Sequence, residues 1–251
     1  MIFTRIIYSA VGIGLLTGLL LSLMQVVSVD PIIFAAESFE VEGAEGVPAG
    51  HEGHDHDHSG WAPEDGAERT FYTVLSNISA AIGFSAVMLS LMTLFALLRR
   101  TSLDLRQGFV WGLAGFAALY LAPGIGLPPE IPGIEAAPTG HRQAWWLLTV
   151  ASVAIGLAVL ALAPLRFKAV SVLFFAIPYL VGAPHPEGPL FLHPDPAAVA
   201  ALTELHQRFV ITSGIVNLLF WVALGLACGY AFNRWFKPLH VADQCADEHA
   251  A

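Results

Sequence analysis

Charged residues are scarce in this chain, and their scarcity excludes a water-soluble globular domain. Only 12% of its 251 residues are Asp, Glu, Lys or Arg, whereas 56% are hydrophobic. A soluble domain carries about 25% charged residues, so too little polar surface remains to cover a globule in water. Because the net charge is -9, the chain also lacks the basic face that nucleic acids bind, and we expect no nucleic-acid partner.

Signatures of catalysis are missing as well. The chain has only two Lys, neither within a phosphate-binding loop, and it contains no His-Glu-x-x-His or Gly-x-Ser-x-Gly motif. Its two cysteines, Cys228 and Cys245, are too few for a disulfide framework or a zinc site. We therefore expect no enzymatic activity, and any energy that the protein uses must come from a gradient or from a partner.

Long hydrophobic runs are what the sequence does contain. A helix needs about 20 apolar residues to cross a bilayer, and six segments reach or approach that length. They are Ile6–Val27, Phe71–Leu98, Gly108–Ala122, Trp145–Leu165, Ala169–Val181 and Phe209–Phe232. The fold class expected is all-α, a polytopic transmembrane helix bundle of about six spans. The fifth segment is short and contains Pro178, so a re-entrant segment and a total of five spans is the alternative.

The distribution of basic residues predicts the orientation. With six spans and a cytoplasmic N-terminus, eight of the eleven Lys and Arg residues lie on the inner side, as the positive-inside rule requires. Both termini are then cytoplasmic, in a bacterial inner membrane. Residues 1–240 form the transmembrane domain, with an outer loop at about 28–70, and residues 241–251 form a short cytoplasmic tail. The first segment is too long for a cleaved signal peptide, so we expect it to be retained.

The outer loop is rich in histidine and acids. His51, His54, His56 and His58 alternate with Glu, Gly and Asp. Neutral imidazole binds Co, Ni, Cu and Zn ions, and carboxylates add negative charge. This stretch, which we name the histidine loop, predicts affinity for a divalent metal without specifying which one. The alternative is a solvated polar loop whose metal affinity is incidental.

Further candidate metal ligands lie at the outer helix ends. Glu64, Asp65 and Glu68 precede the second span, and His185, held between two prolines, follows the fifth. If the bundle brings these ends together, they offer imidazole and carboxylate at the membrane surface. The alternative is that the acids only favour the positive end of a helix dipole.

Three arginines open the helices that run inward. Arg69, Arg142 and Arg208 each follow an acid or a His and precede an aromatic residue. We expect them to orient acids through charge-assisted hydrogen bonds, although interfacial anchoring is an equally local explanation. Within the spans, Asn77 and Asn217 either line a translocation path or hydrogen-bond between helices.

In combination these stretches resemble the CbtA family of predicted cobalt transporter subunits. The resemblance covers essentially the whole chain. It is carried by Trp61–Tyr72 with Asn77, by Pro123 with Gly126–Gly133, by Arg142–Trp146, by Ile177-Pro178 with Gly182–Pro186, and by Asn217 with Phe220-Trp221. It implies cobalt uptake linked to vitamin B12, and a small single-span CbtB partner. The family is often described with five spans, so the charge pattern here departs from it.

The expected function is therefore that of a membrane subunit for uptake of a divalent transition metal, with cobalt implied by the resemblance. The metal is the transported ligand, and no cofactor is expected. The lipid bilayer and a CbtB-type subunit are the expected partners, and a homo-oligomer remains open. The alternative from another class is a membrane module that senses or buffers metal without conducting it.

Overall fold

Helices dominate the protein, as the hydrophobic runs predict. The computed structural model describes residues 2–45, 63–186 and 188–236. These residues form eight α-helices: α1 (Ile2–Ser28), α2 (Asp30–Glu45), α3 (Ala67–Arg99), α4 (Leu105–Phe116), α5 (Ala122–Gly126), α6 (Thr139–Leu162), α7 (Val170–Val181) and α8 (Pro196–Ala231). Within the described residues there is no β-strand, only an isolated bridge between two loops. The all-α bundle is confirmed.

Helices α4 and α5 form one continuous span with a local widening. The π-helical turn Ala117–Leu121 joins them, and the Ala122 amide donates to the carbonyl oxygen of Ala117, five residues back. Pro123 follows at once and has no amide hydrogen of its own to donate. A widened turn is the usual way for a helix to absorb such an interruption.

Among the residues that the structure describes, five helices are long and apolar enough to cross a membrane. They are Ile2–Ser28, Ala67–Arg99, Leu105–Gly126, Thr139–Leu162 and Pro196–Trp235, where the last includes a π-helical turn after α8. The remaining predicted segment, the fifth, is α7, whose 12 residues span about 18 Å, less than a typical hydrocarbon core.

Although α7 is short, it connects the two ends of the bundle. It begins shortly after the end of α6, where Arg99 at the end of α3 donates to the carbonyl oxygen of Ala161. At its other end, the Trp145 indole N–H near the start of α6 donates to the carbonyl oxygen of Pro178, at 3.0 Å. Over its described residues the chain thus passes along the bundle six times, five times in long helices and once in a short one.

An even number of passes returns the chain to the end where it began. Arg5 in α1 donates a hydrogen bond to the carbonyl oxygen of Trp235, just beyond α8. We call this end the inner end, following the orientation predicted from the charge distribution. The opposite end, where α3, α6 and α8 start, is the outer end.

Helix α2 corrects the expectation of a simple outer loop from residue 28 onward. Asp30–Glu45 is helical. Val29, Ile32 and Ala36 are buried in the hydrophobic core, and the helix packs mainly against α8 and α1. Its 16 residues are too few, and too many of them are acidic, for the helix to cross a membrane. Tertiary burial of one apolar face explains why it is a helix.

Helix starts also differ from the predicted spans. Helix α8 begins at Pro196, well before the predicted Phe209, and Asp195 caps it by accepting a hydrogen bond from the Ala197 amide at 2.9 Å. Hydrophobic runs mark the part of a helix that lies in lipid. They do not mark polar turns that continue beyond the membrane surface.

Glycines set the closest helix contacts. On α1, a Cβ at Gly18 would lie 2.6 Å from the Cα of Ile78 in α3. On α4, a Cβ at Gly108 would lie 2.8 Å from the Cα of Gly229 in α8. These backbones touch without intervening side chains, which is the usual role of small residues between membrane helices.

Candidate functional site

The histidine loop lies outside the residues that the structure describes. His51, His54, His56 and His58 are therefore not placed, and metal capture by them stays a prediction. The described parts of the outer end contain two polar groupings, one around Arg69 and one around a cavity next to Arg142.

Arg69 of α3 connects α2 with the residues that precede α3. Its guanidinium group donates to both carboxylate oxygens of Glu37 in α2, at 2.6 and 3.1 Å, and to Asp65 at 3.2 Å. It also lies over the Phe34 ring, 5.2 Å from the ring centroid. The expected pairing with Asp65 is present. The stronger partner Glu37 was missed, because it lies 32 residues away on a helix that the sequence did not predict.

Burial and charge act in opposite directions on Asp30, next to this grouping. Partial burial raises the pKa of Asp30 above its ordinary value, and the nearby positive charge of Arg69 offsets part of that rise. The positive charge of Arg69 is thus shared among acids from α2 and from the start of α3. Glu37 and Asp65 therefore hold Arg69 in place, and their carboxylates are already engaged with its guanidinium group.

The remaining candidate acids, Glu64 and Glu68, lie at the start of α3. The Glu68 carboxylate accepts a hydrogen bond from the Glu64 amide at 3.3 Å. Gly66 precedes α3 with φ 96°, a backbone conformation that favours glycine. This local bonding supports the view that the Glu68 carboxylate stabilises the beginning of α3.

His185 lies in a different place, at a cavity of about 70 Å³ at the outer end. The cavity, which we name the outer cavity, is formed by the loop after α5 and the loop after α7. Arg142 of α6 and His206 of α8 reach it from the helices. Two acids of the first loop, Glu130 and Glu135, also line it.

The expected convergence of His185 with the acids before α3 is not seen. Those acids are absent from the lining of the outer cavity. Across the part of the chain that the structure describes, no three His, Cys, Asp or Glu side chains are arranged to hold a metal ion. His185 instead shares the cavity with Glu130, Glu135 and His206, of which sequence reasoning identified none as a ligand.

Arg142 forms an ion pair with an acid of the loop that precedes its helix. Its guanidinium group contacts the Glu130 carboxylate at 2.6 Å. The exposed fraction is 30% for the Arg142 side chain and 29% for the Glu130 side chain. The Nε atom of Arg142 is buried and has no hydrogen-bond partner. Half-burial makes this pair stronger than a fully exposed ion pair.

His206 is held in one orientation. Its Nε2 atom lies 3.1 Å from the carbonyl oxygen of Pro129, and its ring meets Phe191 edge-on with centroids 6.4 Å apart. Because a carbonyl only accepts, Nε2 must carry the proton, and Nδ1 of the neutral ring keeps its lone pair. A histidine fixed in this way resembles one whose metal-binding nitrogen is oriented by a hydrogen bond at the other.

Arg208 differs from the other two arginines. Within the described residues, the ion pairs involve Arg69 and Arg142, and no pair joins Arg208 to Glu204 one turn earlier. The three similar helix openings therefore perform different tasks. Two bind acids from another segment, and the third lies exposed on α8.

The two asparagines inside the bundle make structural hydrogen bonds. The Asn77 side-chain amide donates to Ser22 at 3.1 Å and to Gln25 at 2.6 Å, which joins α3 to α1. The Asn217 amide donates to the Ser213 carbonyl oxygen of its own helix, at 2.9 Å. The Asn77 contacts agree with the alternative of hydrogen bonding between helices, whereas the Asn217 bond stays within α8 and supports neither interpretation of that residue.

Comparison with known proteins identifies a family. The family model described as probable cobalt transporter subunit (CbtA) matches residues 3–233. No curated protein and no solved structure matched the chain. Several apolar helices together with this match make the chain a multi-pass membrane protein. Because the match spans nearly all of the sequence, the chain belongs to the CbtA family of probable cobalt transporter subunits.

Proposed function

We propose that this chain conducts Co²⁺ from the outer to the inner side of a bacterial inner membrane, with both termini in the cytoplasm. The observation that carries the proposal is the family match over residues 3–233. Two histidines, His185 and His206, and two acids, Glu130 and Glu135, are among the residues that line the outer cavity, and residues of these types at the outer end are in keeping with the proposal. Cobalt is the substrate in this proposal, so it passes through the protein without remaining in it.

Capture is the first step of the proposal. The histidine loop would raise the local concentration of metal ions at the membrane surface without forming the path itself. Changing its four histidines together to Ala should then raise the metal concentration needed for uptake, with a smaller effect on the maximal rate. Binding should also weaken below about pH 6, because protonated imidazole cannot bind a metal. Unchanged uptake at limiting cobalt would remove the loop from the mechanism.

Access at the helix ends is the second step. Glu64, Asp65 and Glu68 before α3, with His185 after α7, are the residues that the sequence assigns to it. Comparing Glu64→Gln, Asp65→Asn and His185→Ala under saturating metal separates the alternatives. If the acids only support the start of α3, their variants transport normally and lose about 0.3–1 kcal/mol of stability each. A slower maximal rate identifies residues on the path.

A partner is expected because the family is described as a transporter subunit. The resemblance points to a small single-span protein of the CbtB type. A second copy of this chain is the alternative. Copurification with a tagged chain from membranes that express both proteins distinguishes the two, since the partner and the copy differ in mass.

One observation favours a non-conducting metal-binding module instead. The Asn77 amide donates a hydrogen bond from α3 to Gln25 of α1, and the Asn217 amide donates to a carbonyl oxygen of its own helix, so both amides already have partners within the bundle. The two functions differ in cobalt accumulation by cells with and without the chain, measured with Ni²⁺ and Zn²⁺ in competition. Accumulation that depends on the chain supports transport. Equal accumulation in both strains, with metal bound to the purified chain, supports the module.

A further inference from the structure

We propose that the inner end of the bundle binds the phosphate headgroup of an anionic phospholipid, between the end of α3 and the turn that precedes α7. Four basic side chains form this site, which we name the inner basic cluster: Arg99, Arg100, Arg166 and Lys168. Lipid binding at this site is independent of the metal that the chain carries and of whether the chain conducts it.

A contact between two helix ends brings the four cations to the same part of the inner end. The Arg99 guanidinium group donates a hydrogen bond to the carbonyl oxygen of Ala161, in the last turn of α6. Arg100 follows at once and ends α3 in a left-handed conformation, with φ 48°. On the other side, the chain reaches Arg166 five residues after Ala161. The end of α3 therefore lies close to the short turn that carries Arg166 and Lys168.

The turn before α7 has the composition of a segment at a lipid surface. Leu165–Phe167 forms a single 3₁₀ turn, and Lys168 follows it. Leu165 is 84% exposed and Phe167 is 49% exposed, so the protein leaves two large apolar side chains uncovered. The Arg166 guanidinium group lies over the Phe167 ring, 4.9 Å from the centroid. Apolar side chains next to long cationic ones are typical of segments at the boundary between acyl chains and headgroups.

The positive charge of the cluster has no acidic partner in the described part of the chain. Among those residues, the ion pairs are formed by Arg69 and Arg142, both at the outer end. Asp104 is the one described acid at the inner end, and its carboxylate caps α4 by accepting a hydrogen bond from the Gln107 amide at 3.0 Å. A lipid phosphate supplies the missing negative charge, and basic pockets between membrane helices on the cytoplasmic side commonly bind such headgroups.

The shortness of α7 also favours a lipid at this position. Its 12 residues span about 18 Å, whereas the hydrocarbon core is about 30 Å thick. A bilayer accommodates a short pass by thinning locally and by the snorkelling of flanking side chains. Arg166 and Lys168 flank the inner end of α7. A phosphate bound to them draws the headgroup layer towards the start of this helix.

The alternative is that these cations only set the topology, as basic residues on the cytoplasmic side of membrane proteins do. Topology explains the side of the membrane on which they lie, but it does not explain why Arg166 and Lys168 alternate with exposed apolar residues. It also requires no preference between an anionic and a neutral lipid. The lipid selectivity of the purified chain therefore separates the two explanations.

Titration of the purified full-length chain in detergent with phosphatidylglycerol, followed by native mass spectrometry, measures the site directly. We expect phosphatidylglycerol to bind more tightly than phosphatidylcholine. Arg166→Gln combined with Lys168→Gln should weaken phosphatidylglycerol binding about 25-fold, since each basic residue near an anionic lipid surface contributes about fivefold. Arg208→Gln is the control and should change little, because Arg208 is an exposed cation of the outer end.

A charge-preserving variant separates loss of charge from damage to the fold. Arg166→Lys combined with Lys168→Arg keeps both cations and should bind phosphatidylglycerol as the wild type does. Inorganic phosphate, added as a competitor, should not displace the lipid, because the apolar side chains of the turn contribute only to lipid binding. The proposal is overturned by equal binding of the two lipids, by wild-type binding in the Gln variant, by an equal loss in Arg208→Gln, by lost binding in the charge-preserving variant, or by displacement with inorganic phosphate.

Discussion

The crossing of α4 and α8 offers the sharpest test of the fold. A Cβ added at Gly225 in α8 would lie 2.6 Å from both the Cα and the N of Gly112 in α4, well inside van der Waals contact. Gly225→Ala must therefore push two helix backbones apart. Gly214→Ala is the control on the same helix, because its new methyl would meet only Tyr120, at 3.9 Å.

The expected effects have opposite signs. Overpacking at Gly225 costs about 1–3 kcal/mol, whereas Ala in place of an uncrowded helical Gly gains up to about 1 kcal/mol. The two variants should differ by about 2 kcal/mol, or roughly 5 °C in Tm. Thermal unfolding in detergent, followed by tryptophan fluorescence, measures the difference. A Gly225→Ala protein as stable as Gly214→Ala would refute the close approach of α4 and α8.

Three further predictions concern the outer end, the bundle interior and the topology. Arg69→Gln leaves Glu37 without its partner and should lower stability by about 1 kcal/mol, an effect that high salt reduces in thermal melts. Asn77→Ala removes the hydrogen bond to Gln25 between α3 and α1, and its unfolding free energy should fall by about 0.6 kcal/mol. Reporter fusions should place the histidine loop outside and Ala251 in the cytoplasm, and a periplasmic signal at Ala251 contradicts six passes.

The spans were predictable because lipid leaves the backbone few choices. A membrane segment must satisfy its own hydrogen bonds, so a long apolar run implies a helix. Basic residues beside the spans then suggest an even number of passes, which agrees with the contact between Arg5 and Trp235. The short pass α7 is recognisable by its apolar residues, but its depth depends on contacts such as that between Trp145 and Pro178.

The site was much less predictable, because its partners come from distant segments. Arg69 and Arg142 stood out as isolated outer cations, yet Glu37 lies on the unpredicted α2 and Glu130 lies in an irregular loop. His185 was chosen for its flanking prolines. Its neighbours depend on how two loops fold over the bundle, which hydrophobic periodicity does not encode.

The number of cobalt ions accumulated per copy of the chain, followed over time, tests the central claim most directly. Cells that express the chain are given radioactive cobalt, washed with a chelator, and assayed for metal and for chain by quantitative blotting. A conducting subunit turns over, so the ratio should keep rising linearly well past the number of ligand groups in the protein. A plateau at a few ions per copy, or a ratio independent of expression, contradicts transport by this chain.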